Sequence, residues 1–138
     1  MRKIVIALSA TLMLAAAAHA GPAGLVTLND FDDVGLGARW GLNSPLEKAD
    51  LSLGATYFFD GSYVAADADL HFALSDPAKN HIYPLAGLQL ATDFDFTDLN
   101  INLGAGYKLD LGARPAFVEA KFVVGDADFF AATFGIQF

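Results

Sequence analysis

The stretch "LNINLGAGYKL", Leu99 to Leu109, decides the fold, because its large residues fall at every second position. Leu99, Ile101, Leu103, Ala105, Tyr107 and Leu109 share one side of an extended chain, while Asn100, Asn102, Gly104, Gly106 and Lys108 share the other. Side chains alternate between faces in a strand and recur every ~3.6 residues in a helix, so the pattern is that of a strand. The same writing returns on both sides of it. Val34, Leu36, Ala38, Trp40 and Leu42 oppose Gly35, Gly37, Arg39 and Gly41; Leu51, Leu53, Ala55, Tyr57 and Phe59 oppose Ser52, Gly54, Thr56 and Phe58. Val64 to Leu74 alternates against Tyr63, Ala65, Asp67, Asp69 and His71, and Ala116 to Val124 and Phe130 to Phe138 carry two more apolar series. "GLVTLND" and "IYPLAGLQLAT" are weaker segments; Pro84 and Pro115 suit strand starts, since proline cannot donate to a ladder interior. Counting both gives eight strands, an all-β chain with no room for a helix.

Residues 1–20, "MRKIVIALSATLMLAAAAHA", have a basic start, a short apolar run and a small-residue ending at Ala18 to Ala20. That is the layout of a cleaved signal peptide and is too short to span a membrane. The remainder, 21–138, reads as one domain. It has no cysteine, so no disulfide supports it. Without Arg2 and Lys3, six basic residues face sixteen acidic ones, a formal charge of −10 that argues against a nucleic-acid partner. The chain is nevertheless 54% hydrophobic and only 17% charged, so its charges must be segregated.

Turn chemistry tests the faces, because register fixes which residues share a side. A two-residue type I′ turn at Asp60 and Gly61 would pair Phe59 with Ser62 and Ser52 with Asp69, both on the polar face. At "VVGDADFF" the parities require an odd loop such as Gly125 to Ala127. The polar face carries glycine, serine, threonine and asparagine with few charges, too few for a surface in water. The alternation therefore predicts an antiparallel up-and-down transmembrane β-barrel with the apolar face outward, glycine pointing into a narrow interior. Closure removes the unpaired edges that hydrocarbon would penalise. With both termini in the periplasm, Trp40, Phe72, Tyr107 and Phe138 fall near the inner interface and Tyr57, Phe59, Phe122 and Phe130 near the outer one, as two aromatic girdles.

The signal peptide, the alternating strands and the ending "FGIQF" together resemble the small eight-stranded outer-membrane barrels of Gram-negative bacteria, the OmpA- and OmpX-type porin-like group. The resemblance covers Gly21 to Phe138; "NSPLEKADLSL" and "FFDGS" are also distantly similar to the YfaZ family. It departs from the group at Thr133, where many members carry glycine, and in its short outer loops. The resemblance implies an integral outer-membrane protein in contact with membrane lipid and lipopolysaccharide. It also implies handling by periplasmic chaperones and the barrel-assembly machinery, with Ile136 and Phe138 as the assembly signal. Group members include structural proteins, adhesins and a few enzymes, so activity does not follow from it.

The inward charges Arg39, Lys108 and Lys121 balance Asp67, Asp69 and Glu119, which with His71 suggests a paired polar plug. Asp69 beside Arg39, and Glu119 beside Lys121, are the expected contacts. Ser52, His71 and Asp69 contain the ingredients of acyl transfer, but no oxyanion site accompanies them, and no enzyme and no cofactor are expected. The expected function is a structural or interaction role with a plugged interior. The alternatives are a narrow small-solute or ion channel, a barrel enzyme, and a soluble periplasmic lipid-binding barrel. At the outer turns, Asp30, Asp32, Asp33, Asp60, Asp93, Asp95, Asp98, Asp126 and Asp128 form an acidic rim without lysine or arginine. Aspartate favours turns, but closely spaced carboxylates also suit weak calcium or magnesium binding, with Asp93, Asp95 and Asp98 the best cluster.

Overall fold

The computed structural model describes residues 22–42, 44, 46–72, 74, 81–112, 114–126 and 128–138; the signal peptide read at 1–20 lies outside them. Eight strands follow one another: β1 (Ala23–Asn29), β2 (Asp33–Leu42), β3 (Ala49–Phe58), β4 (Tyr63–Phe72), β5 (Ile82–Thr92), β6 (Thr97–Leu111), β7 (Arg114–Val124) and β8 (Phe129–Gln137). Each pairs antiparallel with its neighbours and β8 returns to β1, so the sheet closes into a barrel. No helix occurs among the described residues. Following the registers around the barrel returns to β1 about ten residues further along, a shear that requires strongly tilted strands.

The registers agree with the faces read from the sequence. Ser52 pairs with Asp69, and Ala116 pairs with Ile136. The β3–β4 turn is different from the expected one, however. Phe58 pairs with Tyr63, leaving four residues in the turn, and the left-handed residue is Ser62 (φ 51°) rather than Gly61. Asp33 explains it, because its carboxylate accepts from the backbone of Asp60 at 3.0 Å and Gly61 at 3.2 Å and holds the longer turn from outside. The β7–β8 register is the expected odd one; Ala127 lies outside the described residues.

The outward face is apolar and open: Leu36 is 51% exposed, Leu103 51% and Phe122 64%. The inward face is where polar groups are buried, with Asn102 at 0% and Asp69 at 3%. Of the girdle aromatics, Phe59, Phe72, Tyr107, Phe122 and Phe138 are exposed, and Tyr57 and Phe130 are partly so. Trp40 departs from its expected place: it keeps the outward register but is buried. Phe31, Phe94 and Phe96, in the turns at the opposite end from the start of β1 and the end of β8, add exposed aromatics there.

Candidate functional site

Glycine makes the interior possible through cross-strand pairing. Six large inward side chains sit directly opposite glycine on a neighbouring strand: Arg39 opposite Gly54, Phe58 opposite Gly35, Asp69 opposite Gly87, Tyr83 opposite Gly106, Phe117 opposite Gly135 and Lys121 opposite Gly104. A Cβ at Gly106 would run into the Tyr83 ring and one at Gly135 into the Phe117 ring. Each missing side chain gives its partner room to lie across the strand toward the lumen. The interior is thus not lined by small and polar residues alone, as the sequence suggested. Phe58, Tyr63, Tyr83, Leu85, Phe117 and Val123 also point inward, with Phe58 and Tyr63 stacked at 4.8 Å.

Two polar clusters occupy the remaining space. In the first, Arg39 Nη1 donates to both Glu119 oxygens at 2.7 Å, and Tyr83 Oη donates to Glu119 Oε1 at 2.8 Å. The guanidinium lies over the Phe117 ring, 3.6 Å from its centroid. His71 stacks on Tyr83 at 4.8 Å, with Nε2 buried 3.5 Å from Glu119 Oε1 and without a hydrogen bond. In the second, Lys121 Nζ donates to Asp67 Oδ1 at 3.1 Å and Asp69 Oδ2 at 3.3 Å. Asn102 Nδ2 bridges the same two carboxylates at 2.7 and 2.8 Å. Gln89 donates to Asp67 Oδ1 at 3.1 Å and accepts from Asn100 at 3.3 Å. Charges taken out of water are tolerable when paired and hydrogen-bonded in this way.

The clusters contain the residues expected from the sequence, but the partners are exchanged. Glu119, not Asp69, pairs with Arg39; the two aspartates, not Glu119, pair with Lys121. Barrel curvature is the reason. Arg39 on β2 reaches Glu119 on β7 past β1 and β8, and Asp69 on β4 reaches Lys121 on β7 over the glycines of β5 and β6. Lys108 forms no ion pair among the described residues and stands 5.7 Å from the Tyr83 ring centroid. Ser52, His71 and Asp69 do not assemble as a catalytic set: Asp69 is engaged by Asn102 and Lys121, and His71 faces Glu119. Sequence reading missed Tyr83, Phe117, Gln89, Asn100 and Asn102 as partners in the clusters. The parity of β7 already placed Phe117 inward.

Three spaces stand out among the described residues. A chamber of about 560 Å³ opens at the end where β1 begins and β8 finishes, bordered by Arg39, Ser52, His71, Tyr83, Lys108 and Phe117. One of about 340 Å³ opens at the other end, beside Tyr63, Asp98 and Asn100. Between them, among Arg39, Asp67, Asp69, Glu119 and Lys121, only about 20 Å³ remains.

At the acidic rim, aspartates act as turn caps. Asp93 Oδ1 accepts from the backbone of Asp95 at 2.9 Å and Phe96 at 2.8 Å, Asp128 accepts from Gly125 at 3.1 Å, and Asp30 from Phe130 at 2.9 Å. Among the described residues no three acidic or histidine side chains gather as metal ligands, so Asp93, Asp95 and Asp98 are not brought together.

The chain matches no family model, no curated protein and no solved structure. Its functional reading therefore rests on its own residues.

Proposed function

We propose that this chain is an integral outer-membrane β-barrel of a Gram-negative cell, with a plugged interior and a structural or interaction role. The observation that carries the proposal is the inversion of its faces. Leu, Val, Ile and Phe stand exposed around the outside while Asp69, Asn102, Glu119 and Lys121 are buried within. In water such a surface would far exceed the apolar patches that soluble monomers carry. In hydrocarbon it is the favourable arrangement, and the closed ladder leaves no strand edge unpaired there. The resemblance to the OmpA- and OmpX-type group supports the same location, with membrane lipid and lipopolysaccharide as neighbours and a terminal Phe138 available to the assembly machinery.

The plug is supported by the central constriction, where about 20 Å³ among the ion pairs leaves room for no more than a water or two and for no continuous column. A second reading, a narrow ion pathway, is favoured by the two chambers that approach this constriction from opposite ends. Cell fractionation tests the location: the protein should partition with outer membranes and migrate faster on a gel when unboiled. Recovery in the soluble periplasm would refute it. Planar-bilayer recording separates plug from pathway, since long steady openings from purified protein contradict the plug.

A further inference from the structure

The larger chamber plays no part in closing the barrel, and its floor and walls are chemically specific. We propose that it binds a small organic carboxylate with an apolar body. The floor is Arg39. Glu119 engages Nη1, and the guanidinium borders the chamber with its side chain 13% exposed, which leaves the Nε–Nη2 edge for a ligand. Phe117 supports the guanidinium plane, and Tyr83 fixes the Glu119 carboxylate that holds its inner edge. The free edge is therefore set before any ligand arrives, and such a planar fork matches the two oxygens of a carboxylate.

Glu119 offsets most of the Arg39 charge, so selection of an anion requires a second cation. Lys108 supplies it from the chamber wall, exposed, without an ion pair among the described residues and 5.7 Å from the Tyr83 ring centroid. Asp50, the other charged group among the described residues that border the chamber, is exposed as Lys108 is, so salt and water screen both and the half-buried Arg39 fork sets the orientation. Phe117, Tyr83 and Ala23, inward residues of the same lining, give an apolar body its contacts. The volume, about 560 Å³, suits a small molecule, since ligand sites run from roughly 300 to 1,000 Å³.

The test is a titration of the purified, folded full chain with benzoate, with benzamide as an uncharged isostere and inorganic phosphate as an oxyanion lacking the apolar body. Benzoate should bind saturably, and the other two at least about tenfold more weakly. Lys108→Glu should weaken benzoate about tenfold while leaving the unfolding midpoint unchanged, since Lys108 makes no ion pair to lose. Arg39→Lys keeps the charge and removes the fork, and should also weaken benzoate. Equal affinity for benzoate and benzamide, phosphate binding as tight as benzoate, no benzoate binding at millimolar concentration, or unchanged affinity in Lys108→Glu would each overturn the assignment.

Discussion

Replacing Lys121 with methionine should destabilise the barrel by about 3–5 kcal/mol, the cost of breaking a buried charge pair by removing one partner. The magnitude can be built independently from the contacts. Lys121 Nζ donates to Asp67 and Asp69 at 3.1 and 3.3 Å, and each hydrogen bond to a charged group contributes roughly 1.5–3 kcal/mol, giving about 3–6 in all. Methionine retains most of the aliphatic stem, so little of the loss comes from a cavity. The remainder comes from leaving two carboxylates, one of them only 4% exposed, to share the Asn102 amide as their nearest donor. Combining Lys121→Met with Asp67→Asn and Asp69→Asn removes the charges and keeps the shapes, and should restore at least half of the loss. Equilibrium urea unfolding from phospholipid vesicles, followed by the fluorescence of the single tryptophan and by gel mobility, measures both variants. A Lys121→Met barrel within about 1 kcal/mol of the parent, or a triple variant less stable than the single one, would refute the view that these charges are desolvated and mutually compensating.

Glycine substitutions should separate by what a Cβ would strike. Gly104→Val meets the Ala120 carbonyl and the Lys121 Cα, which cannot move aside, and should cost about 1–3 kcal/mol or more; Gly24→Ala meets only the edge of the terminal Phe138 ring at 3.3 Å and should be close to neutral in the same unfolding assay. Asp33→Ala removes the cap on the β3–β4 turn and should lose about 0.5–2 kcal/mol, whereas Asp126→Ala, which caps nothing among the described residues, should stay within about 0.5 kcal/mol. Deleting Phe138 should leave export intact and lower the outer-membrane level in a strain producing the protein at low abundance, as immunoblots of fractions would show.

The strands were legible because a two-residue period survives any tertiary context. β5 runs over the same residues, Ile82–Thr92, that the weak segment "IYPLAGLQLAT" marked, and the parity of the Asp60 turn carried the correct register even though its type was wrong. Partners inside the lumen were not legible, because they depend on shear and curvature. Arg39 and Asp69 look adjacent along the sheet, yet the tilt sends Arg39 past β1 and β8 to Glu119. Tyr83 was missed because β5 alternates weakly and its faces could not be ranked. No sequence signal distinguishes Trp40, which keeps its register and is buried, from the exposed aromatics of the other strands.

Arg39 and Glu119 flank the seam where β8 meets β1, and the buried Thr27 and Thr133 hydroxyls join across it at 2.9 Å. No hairpin or partial sheet brings Arg39 and Glu119 together, since the two are 80 residues apart in the chain and meet only when the last strand docks on the first. Their ion pair therefore lends nothing to early strand pairing and is gained in the final step, after the loop-closure entropy has already been spent. The same contacts that fill the lumen thus act in time as a latch on closure. They make a finished barrel reluctant to reopen at its seam while leaving the unfinished one free to rearrange.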